Sequence, residues 1–300
     1  MAAALLLILV MLALGQLARR LRAVPEGTAE VLHRVVLLIC LPALVLVQLR
    51  GLKFDRQTFL LALLPWVWVG VSVALILWLS RWAGWSREVR GCLLLTIPLG
   101  NTAFLGYPMI EGLLGHAALQ HAVVYDQLGS FLILSTYAVS VAAVYRAGAR
   151  PPMWGLLRKV LTYPAFLALV VGLLPISWPE PAMAVLRRIA DCLVPLVLFA
   201  IGLQLKFRLP AAQGRALGFA LLLKLGGGAA LALGVCALAG TPPDVRNVAV
   251  LQAAMPVMVT AAALAIEAKL APDLAAAQVG MGVLLALAWL PGLAWLAGAA

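Results

Sequence analysis

Two hydrophobic segments interrupted by proline occupy matching places in the two halves of the chain. The first, Cys92–Leu113, contains Pro98 and Pro108, and the second, Val248–Ile266, contains Pro256. Proline lacks a backbone donor and frees a carbonyl group, and lipid offers that group no partner. Such breaks therefore persist only where protein or a water-filled cavity satisfies them. Broken segments at corresponding positions of two halves are typical of the midplane site of a secondary transporter.

The composition is that of a membrane protein. Of the 300 residues, 65% are hydrophobic and only 11% are charged, whereas a soluble domain is about half apolar and about a quarter charged. The net charge of +11 would suit a nucleic-acid partner. The basic residues fall in short clusters between apolar runs, however, so we interpret them as loop charges and expect no nucleic-acid partner.

The sequence lacks the motifs of the common enzyme and metal sites. It has no nucleotide-binding motif, no HExxH, no GxSxG and no Cys/His spacing of a metal site. We therefore expect neither an enzyme nor a bound metal or other cofactor.

Apolar runs of roughly 17–25 residues can cross a bilayer, and ten such runs follow one another along the chain. They cover residues 2–18, 32–49, 59–80, 91–113, 119–144, 160–176, 182–204, 214–239, 247–268 and 274–298. The basic linker Tyr145–Lys159 divides them into five in residues 1–150 and five in residues 151–300. Because five is odd, the second half enters the membrane in the opposite orientation. The sequence thus predicts an all-α polytopic membrane protein with ten transmembrane helices in two inverted five-helix repeats, of which helices 4 and 9 are discontinuous and cross.

The positions of the prolines and the loop charges add detail to this prediction. Pro42 and Pro195 are about 153 positions apart, close to the separation of the prolines in the broken segments, which favours a duplication. With the N-terminus outside, the cytoplasmic loops hold fifteen Lys and Arg residues and the external loops hold six, so both termini are predicted outside. The apolar run at residues 1–17 precedes its charges, the reverse of a signal peptide, and is predicted to be a retained span. The tryptophans, Trp68 among them, are interpreted as an aromatic belt.

Three stretches of the sequence resemble one family of permeases. Residues 101–109, Asn-Thr-Ala-Phe-Leu-Gly-Tyr-Pro-Met, resemble the NTGFLGxPL stretch of the auxin efflux carrier family. Residues 254–256, Ala-Met-Pro, resemble its second-half signature, and residues 195–205 resemble its seventh span. The similarity extends from Gly15 to Pro291.

The resemblance implies a fold and a function. The family includes plant PIN-type carriers and bacterial carriers proposed for malonate and malate, and it shares a superfamily with bile acid–sodium symporters. By resemblance, spans 1, 2, 6 and 7 form a scaffold, and spans 3–5 and 8–10 form a transport domain that moves like an elevator. The resemblance implies a permease for a small organic anion, such as a carboxylate, in a prokaryotic cytoplasmic (inner) membrane, and a homodimer. Transport would be driven by H⁺ or by the gradient of the solute itself, and Na⁺ is the least favoured of the three driving forces. The alternative function is a sodium-coupled symporter of the bile-acid type.

The chain departs from the family pattern in two places. Position 103 is Ala where glycine is common, and residues 257–260 carry neither the asparagine nor the glycine of several relatives. The second crossover therefore offers few polar side chains, which leaves the substrate and the coupling ion open.

Asn101, three residues after Pro98, is the first candidate for substrate contact. Its amide can donate to a carboxylate, and the half-helix that begins near it presents a positive end, which suits an anion. The alternative is that Asn101 only satisfies carbonyls freed beside Pro98. Threonines are weaker candidates because a threonine in a membrane helix usually bonds its own backbone. The other predicted substrate-binding residues are Thr102, Thr260, Gln127 and Tyr107.

Prolines and glycines are predicted to shape the crossover. Pro98 and Pro256 are expected within the breaks, whereas Pro108 either contributes to the crossover or merely ends a half-helix. Gly100 and Gly106 would allow close approach of the two chains, although packing alone would also explain them.

Three ionisable residues are candidates for coupling or charge balance. Lys224 lies about a dozen residues into span eight, where it either balances a carboxylate or the substrate, or extends its ammonium to the cytoplasmic surface. Asp126 in span five is a candidate proton carrier, and the alternative places it at the external rim. Glu111 follows the first break closely and could face the external vestibule.

Overall fold

The computed structural model describes residues 2–49, 52, 55–147, 153–174, 178–204 and 213–298. These residues are almost entirely helical. The helices, in chain order, are α1 Ala2–Arg20, α2 Thr28–Gln48, α3 Arg56–Ser80, α4 Arg87–Thr96, α5 Gly106–Leu114, α6 His116–Tyr145, α7 Met153–Leu161, α8 Pro164–Gly172, α9 Glu180–Asp191, α10 Leu193–Gln204, α11 Gly214–Ala239, α12 Pro243–Ala253, α13 Val259–Glu267 and α14 Pro272–Leu296. Five of the loop charges counted above, Arg50, Lys53, Arg150, Lys206 and Arg208, lie outside the described residues, and so do Pro151 and Pro152 of the linker.

In the part of the chain that the structure describes, five helices are long and apolar enough to cross a membrane. They are α2, α3, α6, α11 and α14, each of 21–30 residues with a mean hydropathy between 1.7 and 2.4. The other five predicted segments contain α1, α8 with the last two residues of α7, and three pairs of shorter helices, α4–α5, α9–α10 and α12–α13. The chain is therefore an integral membrane protein built from helices. The count of ten spans and the inverted repeat stay predictions.

Three of these helices contain π-helical turns, in which the backbone widens by one residue. The turns in α6 and α11 include Asp126–Ser130 and Leu223–Gly227, and that in α2 is Val36–Cys40. π-turns inside α-helices are often found at functional sites. Here two of them carry Asp126 and Lys224, the ionisable side chains that the sequence placed at membrane depth.

Helices α1 and α10 touch backbone to backbone. A Cβ added at Gly15 would lie 2.3 Å from the carbonyl oxygen of Phe199, and one added at Gly202 would lie 2.4 Å from that of Leu12. No other residue type fits either position without moving a helix.

The two proline-containing segments are broken, as their sequences indicate. The first break covers residues 97–105, between α4 and α5, and the second covers residues 254–258, between α12 and α13. Pro98 and Pro256 lie within the breaks. Pro108 lies in the first turn of α5, so the alternative in which it ends a half-helix is wrong. A proline fits there because the amides of a first turn have no intrahelical partner.

Side chains from neighbouring helices satisfy the carbonyls that the first break frees. Pro98 has no amide hydrogen to donate to the carbonyl of Leu94. The hydroxyl of Tyr137 donates to that carbonyl instead, at 2.8 Å. The indole nitrogen of Trp68 donates to the carbonyl of Ile97 at 3.2 Å. Trp68 is only 3% exposed, so the aromatic-belt interpretation is wrong for this tryptophan.

Candidate functional site

The two breaks meet in a short antiparallel bridge between Gly100 and Val257. Two backbone hydrogen bonds flank it, each from an amide of one break to a carbonyl of the other: Asn101 N–H to Pro256 at 2.7 Å, and Met258 N–H to Leu99 at 3.0 Å. The breaks therefore satisfy each other's backbone groups inside the protein, which is the condition for irregular backbone at membrane depth.

A cavity of about 460 Å³ lies against this crossing. Its walls are mainly apolar, from side chains that include Leu37, Leu41, Phe104, Phe131, Leu134 and Leu264. Four of the predicted site residues line it as well: Asn101, Asp126, Gln127 and Thr260. An apolar cavity with a few convergent polar groups is the usual form of a small-molecule site.

Asn101 lines this cavity and has an unused hydrogen-bond donor. Its Oδ1 accepts a hydrogen bond from the amide of Phe104 at 3.2 Å, so the side chain caps the turn that leads into α5. Its Nδ2 is buried and has no hydrogen-bond partner among the described residues. The alternative in which Asn101 only satisfies freed carbonyls is wrong, because Nδ2, its only side-chain donor, bonds no carbonyl of the described residues. An amide nitrogen can only donate, so this atom fits a ligand oxygen.

The first turn of α13 faces the same cavity. Its N-cap residue, Met258, makes no side-chain hydrogen bond to the helix, and the first backbone bond comes from Ala262 to Met258 at 3.1 Å. The amides before Ala262 thus lie at the positive end of the helix without intrahelical partners. Thr260, in this turn, is exposed and lines the cavity.

Asp126 is held by three donors. It is 3% exposed, so its placement at an external rim is wrong. The hydroxyl of Thr102 donates to Oδ1, and the hydroxyl of Tyr107 and the amide of Gln127 each donate to Oδ2 at 2.8 Å. Three donors suit an ionised carboxylate, which can only accept.

The three donors have different relations to the cavity. Thr102 bonds Asp126 rather than its own backbone, and neither it nor Tyr107 is among the cavity-lining residues. Gln127 lines the cavity, and its Oε1 has no partner in the described structure. Gln127 can therefore offer a ligand an acceptor, whereas Thr102 and Tyr107 hold Asp126 in place.

Lys224 lies inside the protein and not at its surface. Its side chain is 2% exposed, so the alternative in which the ammonium extends to the cytoplasmic surface is wrong. Its Nζ donates to the carbonyl of Ala253 at 2.9 Å and lies 5.7 Å from the centre of the Trp68 ring. Ala253 is the last residue of α12, so the ammonium lies at the negative end of that half-helix.

Gln252 is a part of the crossing that sequence reasoning missed. Its Nε2 donates to the carbonyls of Thr102 and Ala122 at 3.2 and 3.4 Å, which ties α12 to the first break and to α6. A Cβ added at Gly106 would lie 2.5 Å from Gln252 Oε1. The only signal in the sequence was an amide within an apolar run.

Glu111 lies apart from the cavity. Its carboxylate pairs with Nδ1 of His116 at 2.7 Å, and Nε2 of that histidine contacts the side-chain amide of Gln48 at 3.1 Å. The structure therefore groups Glu111 with α2 and with the start of α6, and not with Asp126 or Lys224.

Comparisons with known proteins identify the family of the chain. Residues 1–294 match the family model described as membrane transport protein. An uncharacterised transporter of Methanothermobacter thermautotrophicus is 26% identical over 294 residues, which cover 95% of this chain and 94% of the relative. An uncharacterised transporter of Methanocaldococcus jannaschii is 24% identical over 215 residues, 67% of each chain. The chain belongs to the membrane transport protein family, that of the auxin efflux carriers, and it is a transporter rather than an enzyme.

Proposed function

We propose that this transporter is a secondary carrier of a small organic anion with at least one carboxylate group. The observation that carries the proposal is that Asn101, whose Nδ2 has no partner in the described structure, lines the same cavity as the first turn of α13, the positive end of that helix. Both features favour an acceptor with negative charge. The apolar walls suit the carbon skeleton of such an anion. The volume of about 460 Å³ suits a small molecule.

Equal spacing between related contacts supports the inverted repeat of ten helices. Val257 follows its bridge partner Gly100 by 157 positions. Gly172 follows Gly15 by the same number. The residues that contact these two glycines have the same separation. Gly15 packs on Gly202, Gly172 packs on Val45, and Gly202 follows Val45 by 157 positions. Two halves that repeat the same contacts with exchanged partners are the expected result of duplication with inversion.

In our proposal, the conformation described here opens the site towards the cytoplasm of a prokaryotic cell. The site cavity extends along α6 to Val139 and to the turn between α7 and α8, where Thr162 and Tyr163 line it. With both termini outside, that turn is cytoplasmic. On the opposite side of the crossing, Tyr107, Met109 and Ile110 are fully buried. Movement of the crossing helices against a scaffold, as in an elevator, would expose the site to the other side.

The same site supplies groups that could bind a coupling ion. Asp126 and Gln127 offer carboxylate and amide oxygens beside the cavity, and we propose H⁺ as the coupling ion, with Na⁺ as the alternative of a bile-acid type symporter. Uptake by proteoliposomes in the presence and absence of a Na⁺ gradient separates the two. Stimulation by Na⁺ alone would favour the symporter.

A thermal-shift experiment on the purified protein tests the substrate class. Hexanoate, adipate and the neutral hexanamide share a six-carbon skeleton and differ in charge. A ligand that binds the folded state raises the melting temperature by mass action. We expect one or both acids to stabilise the protein at millimolar concentration and the amide to have little effect. Equal shifts with acid and amide, or no shift with either acid at two pH values, would contradict the proposal.

A further inference from the structure

Trp68 and Lys224 each cap a free carbonyl group, at equivalent places in the two halves of the chain. The indole nitrogen of Trp68 donates to the carbonyl of Ile97, just after α4, and the ammonium of Lys224 donates to the carbonyl of Ala253, at the end of α12. Lys224 follows Trp68 by 156 positions, and Ala253 follows Ile97 by the same number. Each broken helix thus has its free carbonyl end capped by a side chain at an equivalent position.

The two caps differ in charge. An indole is a neutral donor, whereas an ammonium brings a full positive charge to a place where a neutral group already suffices in the other half. The described residues include no carboxylate within salt-bridge distance of Lys224. Asp126, the buried acid of the site, is satisfied by its own three donors. The charge of Lys224 is therefore not cancelled by a contacting anion among the described residues.

The ammonium lies directly behind the crossing. A Cβ added at Gly100 would lie 3.1 Å from Lys224 Nζ. The ammonium therefore fits there because Gly100 has no side chain. The next residue, Asn101, lines the cavity. The charge is thus separated from the cavity by roughly the thickness of one extended chain, about 5 Å.

We propose that Lys224 determines the specificity of the site for anions, acting through the backbone at Gly100 without touching the ligand. This inference rests on the proposed function, because it concerns the ligand of the same cavity. A unit charge about 8–10 Å from a carboxylate, at the effective dielectric constant of a protein interior, changes affinity by about tenfold or somewhat more. The same charge acts weakly on a neutral ligand of the same shape.

The test separates charge from capping with three variants. Lys224→Arg keeps the charge and a donor, Lys224→Gln keeps a donor without the charge, and Lys224→Met removes both. Dissociation constants of hexanoate and hexanamide are measured for each variant, with expression and melting temperature as checks of folding. We expect the preference for the acid over the amide to fall about tenfold in the Gln variant and to persist in the Arg variant.

Each outcome has a definite meaning. If the Gln variant binds hexanoate as the parent does, Lys224 is only a cap, and the inference is overturned. If the Gln and Met variants lose acid and amide binding in equal proportion, its role is geometric, and the inference is also overturned. Trp68→Phe, which removes the neutral cap of the other half, is the matched control and should leave the acid-to-amide preference unchanged. A parent protein that binds none of hexanoate, adipate and hexanamide would instead contradict the proposed function.

Discussion

The backbone amide of Asn101 lies 2.7 Å from the carbonyl oxygen of Pro256, so the candidate binding residue of one break is fixed by the proline of the other. The side chain of Asn101 is oriented in turn by its hydrogen bond with the amide of Phe104. Its free Nδ2 is therefore placed by both halves of the chain together. Neither half alone would form the site.

Replacement of Asn101 should weaken binding of an anion. Asn101→Ala removes one hydrogen bond to a charged group, about 1.5–3 kcal/mol, which corresponds to roughly ten- to a hundredfold in affinity. Asn101→Asp should lower the affinity further, because the new carboxylate repels the anion. The measurement is the affinity for hexanoate or adipate, with melting temperature as the check of folding. Equal affinity in the parent and both variants would place the site elsewhere.

Gly106→Ala should destabilise the crossing. The added methyl would lie 2.5 Å from the Oε1 of buried Gln252, and such overpacking costs about 1–3 kcal/mol. Gly218→Ala is the matched control, since a Cβ there has open space. We expect a lower melting temperature and slower transport for Gly106→Ala only. Partial recovery in the double variant Gly106→Ala/Gln252→Ala would identify the clash as the cause, and a normal melting temperature for Gly106→Ala would show that Gln252 can move aside.

Tyr107→Phe should lower the melting temperature and the transport rate more than Tyr137→Phe does. Both tyrosines use the hydroxyl as a hydrogen-bond donor, but Tyr107 donates to the carboxylate of Asp126 and Tyr137 to the neutral carbonyl of Leu94. Bonds to charged groups contribute about 1.5–3 kcal/mol, against about 0.5–1.5 kcal/mol for neutral ones. Melting temperature and transport rate measure the difference. The reverse order would indicate that Asp126 is neutral in the folded protein.

The effect of replacing a glycine by alanine on packing should depend on the space around that glycine, and the α1–α10 contact tests this. Gly15→Ala and Gly202→Ala place a methyl group within 2.4 Å of a backbone oxygen and should prevent stable packing of the two helices. Gly172→Ala meets its nearest neighbour at 3.5 Å and should be tolerated. Yield of folded protein in size-exclusion chromatography ranks the three variants. Similar yields for Gly15→Ala and Gly172→Ala would contradict this account.

Cysteine labelling tests the orientation. Trp82, 80% exposed after α3, is predicted on the cytoplasmic side, and His116, at the start of α6, on the outside. In a background without the natural cysteines, a membrane-impermeant thiol reagent added outside should label His116→Cys and leave Trp82→Cys unlabelled in intact cells. The opposite pattern would reverse the proposed topology.

Local sequence signals predicted the parts of the site that depend on backbone chemistry. Pro98 and Pro256 remove backbone donors, so the breaks could be located without a structure. Asn101 could be identified because an amide beside such a break has few roles. Which of its atoms remains unpaired depends on the Phe104 amide, and no pattern in the sequence encodes that contact.

The remaining parts depend on which way a side chain points inside a helix bundle. Trp68 lies on a long apolar helix, where depth alone does not separate a lipid-facing tryptophan from one that caps a broken helix. Lys224 could reach the surface or the interior by rotation of its helix, and the π-turn at Leu223–Gly227 that helps set its direction has no recognisable sequence signal. Gln252 is polar in an apolar run, yet its partners Thr102 and Ala122 lie at least 130 positions away.

The glycine contact between α1 and α10 also constrains how the chain assembles. Gly202 follows Gly15 by 187 positions, and at a synthesis rate of about 5–20 residues per second the first helix is complete roughly ten seconds or more before its partner exists. If α1 is a span, as the sequence predicts, it stays in the bilayer during that interval with the groove around Gly15 facing lipid. We therefore expect the predicted topology to fold by late closure of helices that are already inserted. A truncation before α10 should yield a membrane-inserted chain that is sensitive to protease and prone to non-native helix pairing.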